Sequence, residues 1–274
     1  MDLGIAGRWA LVCGASKGLG RGCAEALVSE GVNVLINART EAPLRQTATE
    51  LRAISARWTS AAGQKEPEVL AVACDITTPE GREAVWSAPG GPGRDFDIVL
   101  TNAGGPPTGD FRHFTSEDWQ RAVNANMLTP IELIKAVVDG MAERGFGRIL
   151  NITSSAVKAP IDILALSNGA RSGLTGFVAG LARSGLAARG VTVNNLLPGK
   201  FDTDRVNATL EAAARKTGQS LAEVRQAQAA QVPARRFGTP AEFGALCAFV
   251  CSQQAGYLTG QNLLLDGGLY PGTF

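Results

Sequence analysis

Trp9-Ala10-Leu11-Val12-Cys13-Gly14-Ala15-Ser16-Lys17-Gly18-Leu19-Gly20 is the stretch on which the fold turns. Its first five residues form a short apolar run without polar alternation, as expected of a strand covered on both faces. The rest spaces its glycines as GxxxGxG, and a helical period follows over 20–30. Glycines allow a sharp turn and close backbone approach. The helix that follows offers free N–H groups and a positive dipole end to an anion. A glycine turn alone is weak evidence, so its weight depends on what surrounds it.

Working outward, apolar runs recur at 32–36, 69–73, 96–100, 148–152, 191–196 and 262–265. Helical patterns lie between them, over 42–58, 79–86, 116–144, 166–189 and 240–251. Alternating strands and helices predict an α/β fold: a Rossmann-type, doubly wound, seven-stranded parallel sheet flanked by helices. No linker or repeat divides the chain, so 1–274 is expected to form a single dinucleotide-binding domain. Surface loops are expected at 59–67 and at the Gly/Pro-rich 88–94. Residues 202–237, rich in Ala, Gln and charge, are expected to form short helices.

The chain has 274 residues, 45% of them apolar, with 26 Lys+Arg against 25 Asp+Glu. That composition excludes disorder driven by low hydrophobicity. A net charge of +1 gives no electrostatic reason to expect nucleic acid or an anionic membrane. No apolar run approaches the roughly 20 residues that span a bilayer. The start lacks a basic segment followed by a cleavage site, so no signal peptide is read and a cytoplasmic location is expected. The five cysteines sit inside apolar segments without a CxxC pattern and read as buried free thiols. Cys247, Cys251 and one distant His make a poor metal site, so no metal is expected.

In open α/β sheets, ligands sit beyond the carboxyl ends of the strands. After the first strand, Gly14, Ser16, Lys17, Gly18, Leu19 and Gly20 are candidates to cradle a diphosphate. The second strand ends Asn37-Ala38-Arg39-Thr40, with no acid to hold the ribose 2′-hydroxyl of NAD. Arg39 can instead fork onto a 2′-phosphate, with Lys17 adding charge, which points to NADP(H). The bland alternative is a solvated Arg39. After the third strand, Asp75 could accept from an adenine amino group, beside Ile76, or cap the next helix. After the fourth come Asn102, Ala103 and Gly104, small enough for a ribose or flat ring to lie against the backbone.

These motifs together resemble the short-chain dehydrogenase/reductase superfamily. The similarity continues through 147–154, through Pro198-Gly199 with Thr203, and through Thr259-Gly260-Gln261 with Asp266-Gly267-Gly268. It covers nearly the whole chain, and its nearest pattern is that of the 3-oxoacyl-(acyl-carrier-protein) reductases. The resemblance implies a carbonyl–alcohol interconversion and adds Pro198, Gly199 and Thr203 to the cofactor contacts. It also implies an active site of Asn, Ser and a YxxxK pair. Asn falls at Asn126 and Ser at Ser154. The Tyr and Lys positions hold Ser167 and Arg171.

In that family the Tyr gives its proton to the carbonyl oxygen while the Lys lowers its pKa and binds the nicotinamide ribose. A phenol, near pKa ~10, can be tuned towards neutrality, whereas a serine hydroxyl cannot simply inherit its task. Arg171 is a poor proton shuttle but a good donor to ribose hydroxyls or an anionic substrate. Ser154-Ser155-Ala156-Val157-Lys158-Ala159-Pro160, with Ser-Asn-x-x-Arg at 167–171, resembles a divergent reductase-like subgroup. Lys158 is therefore a candidate proton donor or oxyanion stabiliser, with Ser154 orienting the carbonyl. Its plainer reading is a loop lysine. His113, the sole histidine, reads as a surface residue.

The mouth of the cleft is expected to be lined by 104–109 and by Lys200-Phe201-Asp202. A substrate lid is expected at about 202–237. Its cations, Arg205, Arg215, Lys216, Arg225, Arg235 and Arg236, suit an acidic or carrier-linked carbonyl substrate, or are simply solvated. Leu263–Leu265 and Leu269-Tyr270-Pro271 resemble the family's oligomer-forming edge, so a homotetramer or homodimer is expected. Two alternatives share the fold: a lyase or isomerase, and a non-catalytic NADP(H)-binding protein. Halohydrin dehalogenases also carry Arg for Lys, but they keep the Tyr and lose the glycine loop, the reverse of this chain.

Overall fold

The computed structural model describes residues 1–58 and 65–273. The surface loop expected at 59–67 falls largely outside them. Seven parallel strands form one sheet in the order β3-β2-β1-β4-β5-β6-β7. They are β1 (Trp9–Cys13), β2 (Asn33–Ala38), β3 (Val69–Ala73), β4 (Ile98–Thr101), β5 (Gly147–Ile152), β6 (Val191–Pro198) and β7 (Asn262–Leu265). The doubly wound fold expected from the sequence is the one observed. Chain order reverses between β1 and β4, which opens a crevice at their carboxyl ends.

Side chains alternate across the sheet with period two. Ala10, Val12, Val34, Ile36, Ile98 and Leu100 enter one core, with Leu27, Leu44, Phe243 and Cys247. The helices contributing these are α1 (Gly18–Ser29), α2 (Glu41–Ser55) and, late in the chain, Pro240–Cys251. Leu11, Leu35, Val99 and Ile149 enter the other core, with Val85, Leu133, Val137, Leu174 and Val178. Those come from α3 (Pro79–Trp86), α5 (Thr129–Glu143) and α6 (Ala165–Leu181). α4 (Ser116–Val123) precedes α5; α7 (Asp204–Thr217), α8 (Leu221–Ala230) and α9 (Pro240–Cys251) complete the set.

Three details depart from the expected pattern. The helix predicted over 116–144 is broken by a π turn at Asn124–Leu128, so α4 and α5 are separate. The helix predicted over 166–189 stops at Leu181, and a 3-10 turn at Ala187–Arg189 leads through Gly190, at φ +76°, into β6. The strands are also not wholly apolar inside. Thr101 Oγ1 donates to Asn151 Oδ1 (2.6 Å), Asn151 Nδ2 to Asn195 Oδ1 (3.1 Å), and Asn195 Nδ2 to Asn262 Oδ1 (2.8 Å). Each residue is the register partner of the next, so one polar chain crosses β4 to β7. It keeps buried amides satisfied where a single unpaired one would be costly.

The cysteines are free. Cys13, Cys23, Cys247 and Cys251 are buried, and Cys74 is half-buried. Burial pushes the Cys13 thiol up to about 12, which makes it a packing residue rather than a nucleophile. Among the described residues no helix is long and apolar enough to cross a membrane, and no His/Cys/Asp/Glu group could hold a metal ion.

Candidate functional site

The glycine turn lies at the reversal point. Gly14 (φ +61°) and Gly18 (φ +59°) take left-handed backbone, which the turn requires. A Cβ on Gly20 would collide with the Gly14 carbonyl oxygen, so the turn folds back tightly on α1. Two bonds brace it: Asn102 Nδ2 donates to the Gly14 carbonyl (3.3 Å) and Thr47 Oγ1 to the Ser16 carbonyl (3.0 Å). The N-terminus of α1 has no side-chain cap and no acid in its first turn. Among the other helices, α3, α4, α7, α8 and α9 each carry a Ser or Thr cap, whereas α2, α5 and α6 carry none. The N–H groups of α1 are thus left for a ligand, in surroundings that suit an anion.

Arg39 is exposed at the end of β2. Lys17 reaches Asp204 at the start of α7, at 3.4 Å, so in this structure its charge is turned towards α7. Asp75 does not cap α3. Its Oδ1 accepts from the Thr77 N–H (3.0 Å) and hydroxyl (2.8 Å), and Thr78 is the cap, because only Thr78 lies one position before the helix. Ile76 is buried beneath it. Gly104 is open: a Cβ there would meet nothing within 4 Å. Pro198 ends β6, Gly199 N–H donates to the Leu265 carbonyl (2.7 Å), and Thr203 caps α7 over the glycine turn. The residues matched to cofactor contacts through the resemblance therefore line one end of the sheet.

The π turn positions Asn126. It is 5% exposed, and its Nδ2 donates back to the Ala122 carbonyl (3.2 Å). Its Oδ1 accepts from Arg171 Nε (3.2 Å), which joins α6 to the π turn. Arg171 is 7% exposed and makes no ion pair among the described residues. Burial, then the nearby charge of Arg205, pushes its guanidinium down from the usual 12.5 to about 10. Ser167 is buried one turn earlier on α6. Asn168 Nδ2 donates to the Ile161 carbonyl (2.8 Å), which ties that turn to the preceding loop.

Ser154 leaves the end of β5, and its Oγ accepts from Ala156 N–H (3.1 Å), leaving its own proton to donate. The 3-10 turn Ser155–Val157 then carries the half-buried Lys158. Its Nζ stands 5.8 Å from the centre of the Tyr270 ring. Tyr270 is held by Asp266, which accepts from the N–H of Gly268 (2.9 Å) and of Tyr270 (2.7 Å). The sequence placed Tyr270 only at an oligomer edge. Its approach to Lys158 is a tertiary contact with no local signal beyond the Asp-Gly-Gly turn that aims it.

The mouth is built differently from expectation. Phe201 is core, packed edge-on against Phe243 at 5.3 Å. Lys200 Nζ donates to Gln231 Oε1 (3.2 Å) at the end of α8, and Asp202 pairs with Arg225 on α8. The segment expected to form a lid consists of α7, with 14 residues, and α8, with 10. Of its cations, Arg236 pairs with Glu242 and Arg235 binds the Ala230 carbonyl, both away from the cleft. Arg205 alone of those named crosses to the far side, donating to the Pro106 carbonyl (3.4 Å). A Cβ on Gly105 would overlap its guanidinium. His113 is exposed in the 3-10 turn Phe111–His113.

A family model described as enoyl-(acyl carrier protein) reductase matches residues 14–270. The chain is 32% identical over 268 residues to the 3-oxoacyl-(acyl-carrier-protein) reductase of Vibrio cholerae serotype O1, covering 98% of this chain and 99% of that one. It is 30% identical over 273 residues to the acetoacetyl-CoA reductase of Cupriavidus necator, covering 97% and 99%. Among solved structures, L-sorbose reductase from Gluconobacter frateurii, complexed with NADPH and L-sorbose, superposes with a TM-score of 0.89 at 28% identity, over 99% of this chain and 100% of that one. YwfH, an NADPH-dependent reductase involved in bacilysin biosynthesis, gives 0.87 at 26% identity over 97% and 99%.

Proposed function

Because the chain belongs to this reductase family, within the short-chain dehydrogenase/reductase superfamily, we propose that it is an NADP(H)-dependent oxidoreductase whose proton donor is not the usual tyrosine. The observation that carries the reading is the braced glycine turn against an uncapped α1. That donor set fits a dinucleotide: free N–H groups for the diphosphate, open backbone at Gly104 for the ribose, and exposed Arg39 for a 2′-phosphate. Relatives and structural neighbours named as reductases, two of them with NADPH, support the same class.

When bound, NADPH supplies the hydride. The chain's own residues do the rest. Gly14, Ser16, Lys17, Gly18, Leu19 and Gly20 would hold the diphosphate. Asp75 and Ile76 would serve the adenine end, and Asn102, Ala103, Gly104, Pro198, Gly199 and Thr203 the nicotinamide end. Arg171, fixed through Nε by Asn126, keeps its other N–H groups for ribose hydroxyls or an anionic substrate. Ser154 hydrogen-bonds the substrate carbonyl oxygen through its hydroxyl and keeps its own proton. Lys158 transfers the single proton, from Nζ to that oxygen, as the carbon accepts hydride, leaving an alcohol and a neutral amine. Ser167 leaves space where the family's phenol would stand. The substrate is a small-molecule or carrier-linked ketone, the lid at 202–237 closes over it, and two-fold assembly runs through the β7 edge.

The test is NADPH oxidation, followed at 340 nm, against a panel of ketones and 3-oxoacyl thioesters. Wild type is expected to turn over at least one class, and Lys158→Met to lose roughly 10²-fold or more in kcat. Undiminished turnover in Lys158→Met removes Lys158 as the donor. Tight NADPH binding with no turnover across the panel moves the reading to a non-catalytic NADP(H)-binding protein.

A further inference from the structure

Lys158 stands just beyond the short 3-10 turn that leaves β5. A lysine carries its charge on a flexible four-carbon stem, so an ammonium that must deliver a proton to one atom has to be held in place. What faces its Nζ is the ring of Tyr270, with the ring centre 5.8 Å away. That is within the range over which an ammonium is drawn to the electron-rich face of an aromatic ring. Both residues are half-buried, which strengthens the contact relative to a fully solvated pair.

Tyr270 is brought there by a turn that is fixed on three sides. Asp266 directly follows β7, and its two carboxylate oxygens accept from the N–H of Gly268 (2.9 Å) and of Tyr270 (2.7 Å), which closes the turn on itself. On one flank the Gly199 N–H donates to the Leu265 carbonyl (2.7 Å), and a Cβ on Gly199 would collide with Asp266, so the turn lies directly against the end of β6. On the other flank the Ala234 N–H donates to the Gly267 carbonyl (3.1 Å), and a Cβ on Gly267 would collide with Val232. Gly267 (φ +67°) and Gly268 (φ +86°) supply the left-handed backbone that the turn needs. A ring delivered by so constrained a turn has a defined place, and it passes that order to Lys158.

We infer that Tyr270 is a positioning residue for the reduction: its ring holds the Lys158 ammonium for transfer to the substrate carbonyl oxygen. The inference rests on the reading above that makes Lys158 the proton donor. It adds no chemical step, since Tyr270 forms and breaks no covalent bond. The ring rather than the hydroxyl carries the role, because the ammonium lies over the ring. The attraction is to positive charge, so it weakens once the proton has left Nζ.

The test is a double-mutant cycle on the full chain, with ketone reduction followed at 340 nm. Tyr270→Leu is expected to lower kcat roughly 3- to 30-fold, the range of a cation–π contact, with KM little changed. Tyr270→Phe is expected to stay near wild type. In a Lys158→Met background, Tyr270→Leu is expected to lower kcat no further. A loss that persists undiminished in that background overturns the inference, as does weaker NADPH binding in Tyr270→Leu by calorimetry, which would give Tyr270 to the cofactor. An equal loss in Tyr270→Phe overturns it too. Unchanged kcat in Tyr270→Leu, beside a Lys158→Met chain that has lost turnover, overturns this inference and leaves the donor reading standing. Full turnover in Lys158→Met, or a wild type that reduces no ketone, removes both. A second readout needs no variant of Tyr270 to fold: NMR of the chain with carbon-13-methylated lysines. The Lys158 resonance, identified by its loss in Lys158→Arg, is expected to be displaced upfield by the ring current of Tyr270, and an undisplaced resonance overturns the inference.

Discussion

Replacing Arg171 by methionine should make the ligand-free protein more stable, not less. The guanidinium is 7% exposed and has no carboxylate partner. Keeping it charged at neutral pH, when its pKa has fallen from 12.5 to about 10, costs roughly 3 kcal/mol. The substitution also removes the bond from Nε to Asn126 Oδ1 and leaves that buried oxygen unmet, at about 1–2 kcal/mol. Methionine refills the aliphatic space with little strain. The balance is a gain of about 1–2 kcal/mol, or roughly 2–6 °C in Tm for a chain of this size. The pH dependence carries a sign. The folded pKa lies below the unfolded one, so the penalty is full below about pH 10 and fades as pH rises from 10 towards 12.5. The variant's advantage is therefore constant from pH 6 to 9 and shrinks above 10. Urea unfolding at matched pH reads it. A variant destabilised by more than about 1 kcal/mol at pH 7 would refute the view that Arg171 is a strained charge retained for ligand.

Three further outcomes follow from the geometry. Asn195→Leu breaks the cross-sheet chain at its centre, strands Asn151 Nδ2 and Asn262 Oδ1, and should cost about 2–4 kcal/mol in urea unfolding. Gly20→Ala drives a methyl into the Gly14 carbonyl and should weaken NADPH binding at least tenfold by fluorescence titration while costing about 1–3 kcal/mol in stability. Tyr270→Leu removes the ring that Lys158 faces and should lower kcat more than Tyr270→Phe, which keeps it; an equal loss in both would assign the role to the phenol instead.

Much of the fold was legible because sterics act locally. The Gly14–Gly20 turn and the seven runs each announce themselves within a few residues, and alternation then dictates the sheet. The π turn did not, since Asn124–Leu128 has the apolar spacing of an ordinary helix and differs only in its backbone register, the Thr129 N–H donating to the Asn124 carbonyl five residues back. The buried asparagine chain was invisible because its members are satisfied only across strands brought together by folding. Asn126, Ser154 and the Ser167/Arg171 replacements were placed by family resemblance rather than by any property of their own. Arg205 looked like one cation among several, and only its resting place on Gly105 sets it apart. Position alone assigns Lys200, Phe201 and Asp202 to the mouth, yet pairing commits Lys200 and Asp202 to α8, and packing commits Phe201 to the core.

The most direct measurement is a calorimetric titration of the full chain with NADPH and, separately, NADH. Binding of NADPH at least tenfold tighter than NADH, with the gap closed in Arg39→Ala, is the predicted result. An absence of heat with either coenzyme would contradict the account at its root.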